Sequence, residues 1–367
     1  MRAVGRLPTY VVTCSLVGLA AALGVVSSIT LLVGFVELSR AYGGRAGTGF
    51  LRVAELDLYQ APAVILLLMP FVFLFGIMSA FIAMNRRSEL VAMRAAGISA
   101  WRFIFPAAAL ALVIGVINVT ALNPMAAALT GHLEDVKADI NSGDARGRRG
   151  EIWLRQGDEH TQVVIRAKSH EMADGAVRLH NVSLFLQNVT AGGALQFSRR
   201  IEATEARLDP GFWRLSDVRE ATPGAGSVRS ETLSIPSTLD RRTALEGFAP
   251  KDAVGFWRLP DTIDRADDAG FSSAPYRLRF FQLLASPLLL AAMSVLGAAF
   301  SLRMARLGGL IGMGITGVAL GFAAFFLDRL CGALGAAEVV PPVIAALVTP
   351  VVALLAGFTL LCYTEDG

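Results

Sequence analysis

Six stretches of the chain are apolar and free of charge over about 20 residues or more, the length a helix needs to cross roughly 30 Å of hydrocarbon. They are Tyr10–Val36, Ala61–Met84, Phe103–Leu122, Phe280–Leu302, Leu307–Leu327 and Val339–Tyr363, and each is predicted to be a membrane-spanning helix. Arg2 and Arg6 precede the first, as they would a secretory signal. Its apolar run is about twice the 7–15 residues of a signal core, so an uncleaved first span is expected. At about 1.5 Å per residue it exceeds the bilayer core and should tilt or protrude.

Between the third and fourth spans the period changes. From Glu151 to Pro236 polar and apolar positions tend to alternate, as in Val163-Val164-Ile165-Arg166 and along Val177-Arg178-Leu179-His180-Asn181-Val182-Ser183-Leu184-Phe185-Leu186. Ala206-Arg207-Leu208 joins Trp213-Arg214-Leu215 through Asp209-Pro210-Gly211, where Pro presets φ and Gly supplies φ > 0. Short alternating strands broken by Gly, Pro, Asn and Asp predict an antiparallel sandwich or jelly roll. Leu239 to Gly270 is irregular and partly helical. The expected fold class is therefore membrane α-helical, with six transmembrane helices and an inserted all-β, jelly-roll-like domain. Residues 1–122 hold spans one to three, 123–275 the β-rich domain and its linkers, and 276–367 spans four to six.

Composition agrees: 54% of the residues are hydrophobic and 17% charged, against about a quarter charged in soluble domains. The net charge of +3 conceals an asymmetry. Glu134–Pro275 holds 19 basic and 22 acidic residues, a balance of −3, and the remainder is +6. Without a clustered basic face, nucleic acid is not an expected partner. Lys and Arg near span ends stay cytoplasmic. Arg2 and Arg6, then Arg86, Arg87, Arg94 and Arg102 against Glu89 alone, then Arg303 and Arg306, fall on one side. The first loop balances Arg40, Arg45 and Arg52 with Glu37, Glu55 and Asp57. Both chain ends are thus expected in the cytoplasm and the β-rich insert outside it, in the periplasm of a Gram-negative cell. Only Glu365-Asp366 runs against the trend, and acids weigh little in this rule.

Little points to catalysis. Cys14, Cys331 and Cys362 lie in or beside apolar segments, so the insert must hold together without disulfides, which about 150 residues can do. His132, His160, His170 and His180 show no metal-ligand spacing, and no CxxC or G-x-S-x-G occurs. No phosphate loop cradles a nucleotide, and no cofactor is expected. The six apolar windows contain no Asp, Glu, Lys, Arg or His, which weighs against a proton- or sodium-coupled mechanism. If the chain moves a substrate, the energy must come from another polypeptide.

The loop Asn85–Ser99 reads as a short amphipathic helix that Asn85 or Ser88 can cap and Gly97 can end. Leu90, Met93 and, less squarely, Ile98 give it an apolar side. Two readings follow: a helix that docks in a partner's groove, or one that lies on the lipid boundary with its arginines on headgroups.

The loop Arg87-Ser88-Glu89-Leu90-Val91-Ala92-Met93-Arg94-Ala95-Ala96-Gly97-Ile98-Ser99 resembles the coupling helix of the LptF/LptG permeases of the lipopolysaccharide export transporter. Tyr276–Met293, with Pro287, looks like that family's fourth span, and Leu334-Gly335 followed by Pro341-Pro342 like the turn into its last. The Arg-Ser-Glu-Leu form of the loop and the Pro-Pro pair look more like LptG than LptF. The resemblance covers nearly the whole chain. It implies a permease that pairs with an LptF-like permease, binds an LptB-like ATPase and an LptC-like membrane protein, extracts lipopolysaccharide and passes it to a periplasmic bridge. Glu89, with Leu90, Met93 and Arg94 beside it, matches the family's ATPase-coupling positions. Arg40 matches a basic position at the outer end of the first span, where lipopolysaccharide phosphates pass. Family members can carry two adjacent basic residues there, whereas Ser39 precedes Arg40 here, and ordinary snorkelling also accounts for Arg40. Other readings stay open: a sibling LptF-type subunit, a permease for another envelope lipid, or a non-transporting membrane anchor or receptor.

Overall fold

The computed structural model describes the chain except for residues 1–6, 45–48, 143–147, 158–160, 174–175, 190–194, 210, 224–225, 238–252, 269–271, 305–309 and 366–367. Arg2, Arg6, Arg45, His160, Pro210, Arg306, Asp366 and the 239–252 part of the linker therefore lie outside the described residues. Two compact units divide the chain: Met1–Thr130, Asp252–Leu259 and Ala274–Gly367 form one, and Gly131–Lys251 and Pro260–Ser273 the other.

The first unit is helical. In chain order come α1 (Leu7–Tyr42), α2 (Phe50–Arg86), α3 (Glu89–Ala95) and α4 (Trp101–Ile117). A π-helical turn at Asn118–Leu122 leads into α5 (Asn123–Ser142). After the second unit's strands, a 3-10 turn (Phe256–Arg258) and α6 (Leu259–Asp268) precede α7 (Ala274–Met304), α8 (Leu310–Ala336) and α9 (Pro342–Glu365). Among the described residues six helices are long and apolar enough to cross a membrane: Leu7–Tyr42, Phe50–Arg86, Trp101–Glu134, Ala274–Leu302, Thr316–Ala336 and Pro342–Tyr363.

These helices outrun the predicted windows. A charge-free criterion stops at the first ionisable residue, but backbone hydrogen bonding does not. Helix α2 begins at Phe50 and so contains Asp57, and α8 continues past Leu327 through Asp328 and Arg329. The apolar windows are free of charge; the helices that carry them are not. The ionisable residues lie in the extensions beyond the apolar windows, which themselves carry no Asp, Glu, Lys, Arg or His, as the sequence predicts.

Packing rather than hydrophobic transfer must hold such helices together, because lipid tails are as apolar as leucine. Small residues let backbones close in: a Cβ on Gly18 would lie 2.3 Å from the Gly76 carbonyl oxygen, so α1 and α2 cross where neither has a side chain. Around this crossing, Phe73, Phe81, Phe103, Ile104 and Leu296 share one buried core. Phe81 and Phe103 meet at 6.2 Å in a tilted pair, a geometry worth about 0.5–1.5 kcal/mol beyond area. The π-helical turn shifts the carbonyl ladder of its span, and the Trp257 indole N–H donates to the Thr120 carbonyl at 2.9 Å. The Phe256 amide donates to Asn123 Oδ1 at 3.0 Å, and its ring stacks on Phe280.

The second unit is built on one antiparallel sheet: β1 (Arg148–Gly157), β2 (Thr161–Ala173), β3 (Ala176–Val189), β4 (Leu195–Asp209), β5 (Phe212–Ala221) and β6 (Val228–Pro236). The all-β expectation stands, with strands at each alternating run. Among the described residues its connectivity is a meander, every strand pairing with its chain neighbour, without the Greek-key crossings of a two-sheet jelly roll. Asp209 pairs directly with Phe212, and Gly211 at φ 83 makes the reversal as its lack of Cβ allows.

Alternation in this sheet slips once, on the same rows of three strands. Buried positions step by two except from Leu179 to Val182, Ala203 to Ala206 and Leu215 to Val218. Leu179 pairs with Ala206 and Ala206 with Leu215, while Val182 pairs with Ala203 and Ala203 with Val218, so the slips are aligned. Asn181 and Asp217 lie at the slip with φ 50 and 51, a conformation Asn and Asp adopt more readily than other side chains. Both halves of the sheet thereby bury the same face, around Trp213, Ile165, Leu184 and Ile201. At one end the roll is latched by the side chain of buried Gln156 on β1. Its Nε2 donates to the Pro236 carbonyl at 3.1 Å, and its Oε1 accepts from Trp213 Nε1 at 3.2 Å and Ser237 Oγ at 2.7 Å.

Candidate functional site

The loop between α2 and α4 is shaped by two backbone reversals. Ser88 sits at the N-cap of α3 with φ 58, and its side chain makes no capping bond. A capping hydroxyl needs an extended backbone to reach the first-turn amides, and this left-handed residue does not supply one. The far end follows expectation. Gly97 has φ 76; its amide bonds to the Arg94 carbonyl at 2.9 Å and the Ile98 amide to the Met93 carbonyl at 3.1 Å. That bonding is a Schellman motif, in which the residue after the glycine packs back on the last turn.

This closure turns the apolar side of α3 inward. Leu90 is 2% exposed and Met93 and Ile98 are half-buried, all packed in the core that α1, α2 and α4 share. The sequence pattern identifies that side but cannot say whether a partner or the chain itself covers it; here the chain does. Val91, Ala92, Ala95 and Ala96 face outward, with Arg86, Arg87 and Arg102 exposed around them and Arg94 half-buried. The outward surface is thus small and apolar inside a basic surround.

Glu89, at the first turn of α3, is half-buried and already engaged. The Tyr10 hydroxyl of α1 donates to its Oε2 at 2.6 Å, the length of a charge-assisted O–H···O⁻ bond. No local signal in the sequence joins residues 79 positions apart, so Tyr10 is absent from the sequence-derived site.

Arg40 is not brought near this group. It is exposed in the last turn of α1, at the opposite end from Tyr10, and makes no ion pair with a described residue. Across the turn, Arg52 pairs with Glu55 at 2.7 Å, and Tyr59 donates to the same carboxylate at 3.1 Å. Buried Asp57 lies between Glu55 and Tyr59 on α2. The site residues thus fall into two groups at the two ends of α1: Glu89, Leu90, Met93 and Arg94 on α3, and Arg40 alone.

Comparison with known proteins bears on what such a molecule does. Residues 9–363 match the family described as the lipopolysaccharide export system permease LptF/LptG. The lipopolysaccharide export system permease protein LptG of Escherichia coli K12 is 23% identical over 343 residues, covering 87% of this chain and 88% of its own length. LptG of E. coli O6:H1 strain CFT073 matches to the same extent. A match over nearly the full length takes in the six helices, the loop helix and the inserted sheet together, and the chain therefore belongs to the LptF/LptG family of lipopolysaccharide export permeases, a multi-pass inner-membrane transport protein with a β-sheet domain.

Proposed function

We propose that this chain is the LptG-type subunit of an ABC transporter that extracts lipopolysaccharide from the inner membrane and passes it to a periplasmic bridge. It pairs with an LptF-like permease and an LptC-like membrane protein, and ATP is hydrolysed by a separate LptB-like chain. Both of its ends lie in the cytoplasm, as the loop arginines indicate, and the β-sheet domain lies in the periplasm. The observation that carries the reading is the loop helix. Its closure by Gly97 leaves Val91, Ala92 and Ala95 outward with Glu89 at the adjoining end, a small apolar surface with one fixed acid among arginines.

Such a surface suits an ATPase groove with a basic residue at its rim. In this reading Leu90 and Met93 hold α3 to the permease, while Glu89 and Arg94 meet the partner. A charge at a helix start is stabilised by about 0.3–1 kcal/mol whatever its surroundings. Stranding one member of a buried interfacial pair costs on the order of 2–5 kcal/mol, so the two roles of Glu89 are separable. Co-expression with the LptB-like, LptF-like and LptC-like chains, followed by purification in detergent, tests the assignment. The ATPase should be retained by the wild type and reduced for Glu89→Ala and Glu89→Gln at unchanged membrane levels. A wild-type chain that brings down no ATPase is an anchor or receptor, and the proposal falls.

A further inference from the structure

We infer that Tyr10 is a positioning residue for Glu89, and that the bond between them passes movement of α3 into α1 and so to the end of α1 that carries Arg40. The inference rests on the ATPase-docking reading of Glu89 given above and adds the route by which docking reaches the lipid side.

Three observations carry it. The first is the division of the Glu89 carboxylate. Tyr10 holds Oε2 at 2.6 Å, and Oε1 takes no hydrogen bond from a described residue. One oxygen is fixed to α1 and the other is left for a cation from outside, so the carboxylate can bridge a docked partner to the first helix. The second is the anchoring of Tyr10. Its neighbour Val11 is fully buried in the same core as Leu90 of α3, with Leu7 and Cys14 packed against that core. The phenol therefore extends from a fixed point on the helix, and displacement of Glu89 acts on α1 rather than on a loose side chain.

The third is the character of α1. It runs from Leu7 to Tyr42 without interruption, and its single proline, Pro8, lies in the first turn, where proline is tolerated. Helices α2, α4, α7 and α9 each carry proline in their interiors, where a push is absorbed as bending. From Tyr10 to Arg40 an unbroken helix spans about 45 Å at 1.5 Å per residue. Within this chain α1 rests mainly on α2, meeting it closely at Gly18 against Gly76 and at Gly34 against Asp57, and it has no internal break between these contacts. Tyr10 is thus the end of a lever whose other end carries the basic residue assigned to lipopolysaccharide phosphate.

Two substitutions separate this role from docking. Tyr10→Phe removes the hydroxyl and keeps both the ring and the Glu89 charge. Glu89→Gln removes the charge and keeps an acceptor for Tyr10. Each is introduced into the full complex in proteoliposomes containing lipopolysaccharide, with ATPase recovery, ATP hydrolysis and lipopolysaccharide release measured on the same preparation. Tyr10→Phe should retain the ATPase and hydrolyse ATP as the wild type does, while lipid released per ATP falls about fivefold or more, the lower range of typical coupling. Glu89→Gln should lose ATPase recovery. A wild-type ratio of lipid to ATP in Tyr10→Phe overturns the inference and leaves the docking reading intact. Loss of ATPase in Tyr10→Phe equal to that in Glu89→Gln also overturns it, because Tyr10 would then serve docking alone. If Glu89→Gln assembles and turns over normally, the docking reading fails and the inference with it.

Discussion

Gly34 of α1 faces the carboxylate of Asp57 on α2 so closely that a Cβ at position 34 would lie 2.1 Å from Asp57 Oδ1. Asp57 is 5% exposed and forms no hydrogen bond or ion pair with a described residue. A buried carboxylate without a partner is expensive wherever it lies in a fold. Gly34 is the accommodation this acid requires, since any side chain there occupies its place.

The pair should behave as one unit. Gly34→Val is expected to destabilise the protein in detergent by about 1–3 kcal/mol, the usual range for overpacking. Asp57→Ala alone should raise the thermal midpoint by removing an unpaired buried acid. Combining the two should recover most of the Gly34→Val loss, as coupled neighbours do. Thermal unfolding followed by size-exclusion chromatography reads all three. A double variant no better than Gly34→Val would mean that the contact is not the source of the cost.

Gln156 leads to a second expectation. Its amide satisfies the Trp213 indole N–H, the Ser237 hydroxyl and the Pro236 carbonyl at once, tying the first strand to the last. Gln156→Leu matches it in bulk but strands the indole N–H, and a buried polar group left unpaired costs about 1–3 kcal/mol. Limited proteolysis of the purified protein should show earlier cleavage within the β-sheet domain, with the membrane helices unaffected. Cleavage at the wild-type rate would show that water or a neighbour replaces the amide and that the latch is dispensable.

How far these features can be read from residues alone depends on the range over which each is determined. A run such as Ala61–Met84 declares a span because lipid acts on every side chain in it, and Val177–Leu186 declares a strand because one face is buried throughout. Where α2 begins is hidden, since Asp57 looks like the end of a span but lies inside a helix facing Gly34. The apolar side of α3 is evident from Leu90 and Met93, yet its direction is decided by the core formed with Val11, Phe81 and Phe103. Tyr10 and Glu89 meet only because α1 and α3 share that core, and the aligned slip at Asn181, Thr204 and Asp217 needs three strands in register to be seen.

Asp217, at that slip, carries a pH expectation. Its carboxylate accepts from Thr204 Oγ1 at 3.0 Å and from Arg229 at 3.1 Å, and these contacts, Thr204 first, hold its pKa below the ordinary 3.8. A carboxylate whose folded pKa is depressed contributes stability above its unfolded value and loses it as pH falls through the folded one. The β-sheet domain should therefore soften below pH 3.8, and Asp217→Asn should remove this part of the acid dependence. Asn tolerates the left-handed backbone as Asp does, so the substitution isolates charge from strain. The group is exposed and screened, so the effect is small. Acid titration of near-ultraviolet circular dichroism, wild type against Asp217→Asn, decides it: identical curves would remove Asp217 as a contributor.

Arg40 offers the sharpest separation between a specific site and an ordinary membrane arginine. It is exposed in the last turn of α1 and has no ion-pair partner among the described residues, although Glu37 is exposed one turn earlier. A snorkelling arginine needs only a charged head in the interface, and lysine serves equally. A residue that grips phosphate uses the planar guanidinium to make two parallel hydrogen bonds, which an ammonium cannot reproduce. The two roles therefore diverge at Arg40→Lys rather than at charge reversal alone. If Arg40 contacts lipopolysaccharide phosphate, photocrosslinking of lipopolysaccharide to a probe at the outer end of α1 should fall for Arg40→Lys and fall further for Arg40→Glu. The protein's membrane level and its recovery of the ATPase should not change, because Arg40 lies at the opposite end of α1 from Tyr10 and Glu89. Crosslinking that survives Arg40→Lys intact and drops only for Arg40→Glu would leave a nonspecific attraction to the anionic surface. Crosslinking unchanged in both would make Arg40 a helix-end charge and remove the lipid assignment.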